Sequence, residues 1–290
     1  MKIIITTIEL FFLIIILVSC KAQDMTILTP VVTNDTLSTK KGIAAYNFTS
    51  KENIIKLNDL NTGWLYSWSV FLPMTGTASY YEGKEEFVPM IWAKNDTTLA
   101  KINYLKKGKE TGKLKHLLGF NEPDRADQAN MTVKECLDIW PELMSTGLRL
   151  GSPAPANSPW LQEFMAGVEA RGYRVDFIAV HTYQDFTNPN APTELKNWLT
   201  DIYNKYKRPI WLTEFGAADY AQWKLSRYGT PTVYQAQIYM NQAIEVLKSL
   251  PFVERYAWFA DRCTDEYIYG TIYDNNGQLT NLGAAFREKE

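Results

Sequence analysis

The chain has 290 residues, of which 46% are hydrophobic and 13% aromatic, enough for one large folded core or two small ones. Its formal net charge of −2 provides no basic field that would attract nucleic acid. With only two histidines and three cysteines, and neither a Cys-x-x-Cys pair nor a His-Glu-x-x-His helix, few ligands exist for zinc, so we expect no metal and no cofactor.

The first twenty residues have the pattern of an export leader. Lys2 gives a positive end, residues 10–18 are apolar, and Leu17-Val18-Ser19-Cys20 closes the stretch. The apolar stretch is too short to span a bilayer as a helix. Its end resembles the lipobox of bacterial lipoproteins, which implies a signal peptide over residues 1–19 and a lipid on Cys20. We expect an exported protein that touches the membrane, at the outer membrane or cell surface, only through this lipid; a plain secretory signal is the alternative.

Residues 20–40 are rich in Thr, Asn and Asp and lack a helical stripe, so we predict a lipidated Cys20 followed by a flexible tether. From residue 41 to 290 short apolar runs alternate with longer amphipathic stretches, with no break in composition. Candidate strands are Gly42–Tyr46, Trp64–Val70, Phe87–Trp92, Leu117–Asn121, Leu148–Pro153, Phe177–His181, Ile210–Glu214 and Tyr256–Ala260, and candidate helices are Thr132–Thr146, Trp160–Arg171, Thr193–Tyr206 and Thr232–Leu250. Eight strands predict a single α/β domain, a (β/α)₈ TIM-type barrel with some shortened helices.

Two glutamates stand at the ends of two of these apolar runs. Glu122 follows Leu117–Asn121, and Glu214 closes Ile210–Glu214. In a (β/α) barrel the carboxyl ends of the strands form the active face, so these two carboxylates are expected to meet across one mouth. Two such carboxylates are what glycoside hydrolysis requires. Taken singly, each glutamate has a structural alternative, a capped loop for Glu122 and a salt bridge to Arg149 or Arg262 for Glu214.

Other polar and aromatic residues lie at the same predicted face. Asn121 is expected to hold a sugar hydroxyl, and His181 and Tyr183 at the end of the sixth run to hydrogen-bond Glu214. Sugar rings stack on aromatic side chains, and we expect two or three of five to line a groove: Tyr46, Trp68, Trp92, Tyr183 and Trp258. We expect structural roles for three further residues, His116, Trp140 and Trp211.

Five sequence segments in order resemble glycoside hydrolase family 128, whose members cleave β-1,3-glucans: Gly119–Asp124, Gly151–Ala154, Trp160–Phe164, Val175–Tyr183 and Trp211–Gly216. The likeness runs from Lys41 to about Phe286. It implies a retaining barrel enzyme in which Glu122 is the acid/base, Glu214 is the nucleophile and Asn121 binds the 2-hydroxyl. The family implies a laminarin-like or curdlan-like β-1,3-glucan as substrate, and we expect internal cleavage by a monomer. Many relatives carry an aromatic residue where this chain has Thr182, so one stacking surface is expected to be missing.

Two alternatives to this function stay open from the sequence. One is a retaining glycosidase of the same clan acting on another β-linked polysaccharide, such as xylan or mannan, because motifs at the catalytic glutamates do not separate these substrates. The other is a non-catalytic glucan-binding surface lipoprotein, against which two costly buried acids argue. An acyl hydrolase is disfavoured because the chain has no Gly-x-Ser-x-Gly elbow. Whether Cys136 and Cys263 pair is also open, although Cys136 fits a buried small hydrophobe better.

Overall fold

Parallel strands alternate with helices along the described chain. A computed structural model describes residues 38–46, 56–71, 80–81, 83–95, 98–218, 232–262 and 265–289, so the leader, Cys20, most of the predicted tether and Cys263 lie outside it. The strands are β1 Ser38–Ala44, β2 Thr62–Tyr66, β3 Glu86–Phe87, β4 His116–Leu117, β5 Arg149–Leu150, β6 Ile178–Asp185, β7 Ile210–Ala218 and β8 Val253–Phe259. The helices are α1 Thr98–Glu110, α2 Val133–Met144, α3 Ser158–Arg171, α4 Ala191–Tyr206, α5 Val233–Ser249 and α6 Asn281–Glu288, and a 3₁₀ helix covers Asp265–Gly270.

The strands close into a barrel in chain order. Six of them pair in parallel in the order β3-β2-β1-β8-β7-β6, and β4 pairs with β5. Two further parallel bridges, Met90 with Leu118 and Gly151 with Phe177, join β4 to the β3 side and β5 to the β6 side. The predicted (β/α)₈ barrel is thereby confirmed, with three strands whose regular ladder is only two residues long.

The helices begin where the sequence provides caps. Thr132 accepts a hydrogen bond from the Glu135 backbone N–H while the Glu135 carboxylate accepts one from the Thr132 N–H, the reciprocal capping box expected at the start of α2. The Asn157 side chain caps α3 by accepting a hydrogen bond from the Trp160 backbone N–H, and Gly172, with a φ of 64°, ends this helix. All four predicted helices are present, whereas α1 and α6 were not among the predicted helices.

Two layers of apolar side chains lie on the two sides of the strands. The larger layer packs the strands against the helices and includes fully buried Trp140. The smaller layer fills the barrel interior, where Phe177 stacks on Trp211 with ring centroids 4.1 Å apart and Trp64 packs beside them. Trp140 and Trp211 are therefore packing residues, as predicted. Cys136 is also buried, as expected for a small hydrophobe.

Charged groups occupy the amino end of the barrel interior. The Glu86 carboxylate lies 2.5 Å from His116 Nδ1 and 2.7 Å from an Arg255 guanidinium nitrogen. Burial by itself would raise the pKa of Glu86, but the His116 hydrogen bond and the Arg255 charge outweigh it and lower this pKa to about 2. The predicted structural role of His116 is thereby confirmed. Because this end is filled, the opposite end is left for a binding cleft.

Candidate active site

An open cleft of about 1160 Å³ lies at the carboxyl ends of the strands. Both predicted glutamates line it, together with Asn121, His181 and four of the five predicted aromatic residues: Tyr46, Trp68, Trp92 and Tyr183. Within the described residues no helix has both the length and the apolar character needed to cross a bilayer.

Glu122 reaches the cleft because the backbone turns sharply after β4. Its φ is 38°, a left-handed conformation that a non-glycine residue adopts only where the surroundings hold it. Its backbone N–H donates to the Ala154 carbonyl at 2.9 Å, which ties this turn to the segment after β5. As a result two consecutive side chains, Asn121 and Glu122, both line the cleft instead of alternating between the two faces of the strand.

Glu214 reaches the cleft through a β-bulge in β7. Val180 of β6 pairs with Leu212 and the next residue, His181, pairs with Glu214, so Thr213 is an extra residue. Strict alternation from inward-facing Trp211 would place Glu214 on the helix side of the barrel. The bulge reverses this parity and directs the Glu214 carboxylate into the cleft.

Three neutral donors hold the Glu214 carboxylate. Oε1 accepts hydrogen bonds from the Tyr66 hydroxyl at 3.0 Å and the Trp68 Nε1 at 2.7 Å, and Oε2 accepts one from the Tyr183 hydroxyl at 2.5 Å. Burial, followed by the nearby Glu214 charge, raises the pKa of Tyr66 well above its ordinary value, so this hydroxyl stays a donor. The alternative salt bridge with Arg149 does not form, because Arg149 pairs with Glu254 at 2.6 Å.

His181 lies between the two carboxylates. Its Nδ1 is 3.2 Å from Glu122 Oε1, within hydrogen-bond distance, and 3.5 Å from Glu214 Oε2. The hydrogen bond predicted between His181 and Glu214 is thus directed to Glu122, whereas the one from Tyr183 to Glu214 is present. Burial disfavours the imidazolium, but the Glu214 charge and the contact with Glu122 outweigh it and raise the pKa of His181.

The two carboxylates face each other at short range. One oxygen of Glu122, one of Glu214 and a His181 nitrogen all lie within 4.8 Å of one another. This is also the one group among the described residues whose ligand types could hold a metal ion. The Glu214 oxygens, however, already accept three hydrogen bonds from protein donors, which leaves few of their lone pairs for a metal ion.

Arg125 and Gln128 adjoin Glu122 and Asn121 at the rim. Arg125 Nε is 3.5 Å from Glu122 Oε2 and also hydrogen-bonds Asp127 at 3.0 Å. The Asn121 amide nitrogen donates to Gln128 at 3.1 Å, while its buried Oδ1 has no hydrogen-bond partner within the described residues.

Comparison with known proteins identifies the chain. A family model described as "Glycosyl hydrolase catalytic core" matches residues 43–286. A family 128 subgroup I endo-β-1,3-glucanase from Amycolatopsis mediterranei, solved with laminaritriose and laminaribiose, is 36% identical and superposes with a TM-score of 0.72 over 87% of this chain and 100% of that one. The chain belongs to glycoside hydrolase family 128.

More distant members of family 128 share the fold. A subgroup II endo-β-1,3-glucanase from Sorangium cellulosum is 26% identical, with a TM-score of 0.69 over 87% of this chain and 98% of that one. A subgroup V exo-β-1,3-glucanase from Cryptococcus neoformans is 25% identical, with a TM-score of 0.67 over 86% and 98%. No curated protein sequence matches the chain significantly. The resemblance inferred from the motifs is confirmed, and the chain is a glycoside hydrolase.

The prediction that Trp258 lines the sugar groove is wrong. Trp258 is fully buried in the layer between strands and helices, where it packs on Phe215 and its Nε1 donates to the Gly270 carbonyl at 2.7 Å. Side chains of a strand alternate between faces, and in β8 it is Ala257 and Phe259 that point into the barrel. Phe259 lines the cleft of this family 128 enzyme instead.

Four aromatic residues of the cleft, Tyr46, Trp68, Tyr183 and Phe259, form a platform beside Glu214. Tyr46, 54% exposed, stacks on Trp68 with ring centroids 4.5 Å apart and planes inclined by 29°. Phe259 packs edge-on against both Trp68 and Tyr183. Tyr66, Arg125 and Phe259 were missed as site residues. For Tyr66 the available signal was an aromatic residue at the end of β2, and for Arg125 it was the Glu-x-x-Arg spacing from Glu122.

Proposed function

We propose that this family 128 enzyme cleaves β-1,3-glucan by double displacement with retention of anomeric configuration. The observation that carries the proposal is the pair of carboxylates on the cleft floor, with oxygens of Glu122 and Glu214 within 4.8 Å of each other. Retaining glycosidases hold their two carboxyl groups about 5–5.5 Å apart, whereas inverting enzymes leave about 6.5–9.5 Å for a water molecule. The short separation favours direct attack by one carboxylate.

The surroundings of the two glutamates assign their roles. Glu214, held by three donors, attacks the anomeric carbon and forms a glycosyl ester while the glycosidic bond breaks. Glu122 gives its proton to the departing oxygen in the same step. In the second step Glu122 takes a proton from water, the water oxygen bonds to the anomeric carbon, and the Glu214 carboxylate is released. Asn121, which lines the cleft directly beside Glu122, hydrogen-bonds the 2-hydroxyl of the bound sugar.

β-1,3-Glucan is the substrate that the relatives support best. The Amycolatopsis enzyme was solved with laminari-oligosaccharides from laminaribiose to laminarihexaose, some in variants with a single glutamate replaced. The platform of Tyr46 and Trp68 offers an aromatic face for a glucose ring beside Glu214. Internal cleavage follows the more similar relatives, which are endo-acting, while a 25% identical one is exo-acting.

Product analysis with glutamate variants tests this proposal. Purified enzyme is incubated with laminarin, curdlan, xylan and mannan beside Glu122→Gln and Glu214→Gln. We expect glucose oligomers of several lengths from the two β-1,3-glucans only, loss of turnover in both variants, and retained laminarin binding by Glu214→Gln. Proton NMR of the first products should show the β-anomer. An initial α-anomer would refute retention, release of glucose alone would refute internal cleavage, and products from xylan or mannan alone would overturn the substrate.

We also propose that the enzyme is exported, carries a lipid on Cys20 and acts as a monomer at the outer membrane or cell surface. The leader motif Leu17-Val18-Ser19-Cys20 supports the lipid. In an expressing bacterium, labelled palmitate should enter the wild-type protein but not Cys20→Ser. Recovery of the wild type in the soluble cytosolic fraction would contradict export, and sedimentation as a dimer would contradict the monomer.

A further inference from the structure

The cleft extends beyond the catalytic residues along the outer wall of the barrel. Its lining continues from Pro155 and Ser158 after β5 to one face of α4, which it follows from Glu194 to Lys205. At about 1.5 Å of rise per residue, this stretch of helix is about 16 Å long. We call the part of the cleft between the first turn of α3 and this face of α4 the helical groove.

The helical groove has the chemistry of a carbohydrate site. Trp198 is half-buried: it packs against the core and also lines the groove. Its indole N–H makes no hydrogen bond among the described residues. Ile202, on the same face of α4, adds apolar surface, and the exposed Asp201 carboxylate is an acceptor for hydroxyl groups. The Glu194 carboxylate, also on this face, accepts hydrogen bonds from the Asn188 side-chain amide at 3.1 and 3.2 Å. An aromatic face bordered by hydrogen-bonding groups suits a neutral sugar chain.

The ends of the helical groove are defined. At the catalytic end, Asp124 accepts hydrogen bonds from the backbone N–H groups of Ala156 and Asn157 at 2.8 and 2.9 Å. These bonds fix the segment before α3, over which a ligand passes from the catalytic residues into the groove. At the far end, Lys205 donates to Gln162 of α3 at 2.8 Å and so bridges the two helices. The groove is therefore a bounded extension of the catalytic cleft.

We propose that the helical groove is an accessory subsite that binds a distal part of the same β-glucan chain whose scissile bond lies at Glu122 and Glu214, with Trp198 as its stacking residue. This inference rests on the proposed function, because the occupant is the substrate itself. Continuity with the cleft identifies that occupant. Stacking on Trp198 removes apolar surface from water and so stabilises the complex. Only a chain long enough to reach from the catalytic residues to Trp198 gains this stabilisation. The groove thus makes affinity depend on chain length.

Binding measurements in an inactive background test the groove. We compare Glu214→Gln with Glu214→Gln carrying Trp198→Leu, which keeps an apolar anchor in the core but removes the aromatic face. Calorimetric titration with laminaritriose and with long-chain laminarin should show about tenfold weaker laminarin binding and unchanged triose binding in the Trp198→Leu protein. Tyr234→Leu, at an exposed aromatic of α5, is the matched control and should change neither affinity.

The outcomes separate this inference from the proposed function. Equal laminarin affinities with and without Trp198→Leu would overturn the accessory subsite, even if the wild type cleaves laminarin. Equal losses for triose and laminarin would also overturn it, since they would indicate a disturbed catalytic cleft. If the double variant does not fold, Asp201→Leu at the exposed rim replaces it, and a selective loss of laminarin binding is again required. Failure of the wild type to cleave any β-1,3-glucan would instead refute the proposed function.

Discussion

Replacement of Tyr183 by phenylalanine removes a hydroxyl donor from Glu214 and keeps the aromatic ring. The Tyr183 hydroxyl lies 2.5 Å from Glu214 Oε2, and its ring packs edge-on against Phe259 with centroids 5.3 Å apart. Phenylalanine keeps this ring contact. The substitution therefore tests what a hydrogen bond to the nucleophile contributes to each half of a double displacement.

The effect should fall on the second step. A hydrogen bond to an ionised carboxylate contributes about 1.5–3 kcal/mol, and one to a neutral acceptor about 0.5–1.5 kcal/mol. In the glycosyl-enzyme Glu214 is a neutral ester, and its negative charge returns as that ester is hydrolysed. Loss of the Tyr183 hydroxyl should then raise the barrier of ester hydrolysis by about 1–1.5 kcal/mol, or about tenfold in rate.

Pre-steady-state kinetics with an activated aryl β-laminaribioside measure the two steps separately. Because the aryl group leaves in the first step, Tyr183→Phe should show a burst of aryl alcohol close to the enzyme concentration, followed by a steady rate about tenfold below wild type. Tyr256→Phe is the control, since this buried hydroxyl makes no hydrogen bond among the described residues. A slower rate without a burst would refute the reasoning, and so would an unchanged steady rate.

Three further substitutions test other parts of the molecule. Trp68→Phe keeps an aromatic ring but removes the N–H donor 2.7 Å from Glu214, so steady-state kinetics should show kcat about tenfold lower with less change in KM. Glu86→Gln should lower the free energy of unfolding at pH 7 by about 3 kcal/mol, because the pKa of Glu86 is about 2 in the folded protein and 4.5 ordinarily. Denaturant unfolding of variant and wild type measures this difference in unfolding free energy, which should shrink as the pH falls below 4.5. A difference that stays constant down to about pH 3 would contradict the prediction. Lys41→Met removes a buried ammonium that donates to carbonyl oxygens at the end of α6. Calorimetry should therefore show a lower melting temperature, while activity assays show an unchanged kcat. An unchanged melting temperature would contradict this role.

The strands and the two glutamates were predictable because they depend on local pattern and on one general property of parallel barrels. Each apolar run ends abruptly in polar residues, and strand carboxyl ends share one face, so Glu122 and Glu214 had to lie near each other. The sequence carries less signal for α1. Its buried face is narrow, with Ile102 and Leu105 among few buried positions, and lysines and Gly108 interrupt the pattern.

Side-chain direction was harder to predict than strand position. From Tyr256 in β8 to Ala260 just after it, every residue is apolar, because this segment is buried on both faces, so the sequence does not show which residues face the cleft. This is why Trp258 was misassigned and Phe259 missed. Glu214 illustrates the opposite case: alternation alone would have turned it outward, and only the bulge at Thr213 directs it inward.

The bulge and the left-handed turn place the two glutamates in different environments, and this difference supports their different roles. Glu214 lies within a strand, and each of its oxygens accepts a hydrogen bond from an aromatic side chain, which holds the carboxylate in one orientation. Glu122 lies at a turn, with His181 on one oxygen and partly exposed Arg125 3.5 Å from the other. A nucleophile must be held in one orientation toward the anomeric carbon, whereas an acid/base must exchange protons with a leaving oxygen and then with water. Reversed roles would require the most constrained carboxylate in the cleft to carry the proton, at the expense of the hydrogen bonds that constrain it.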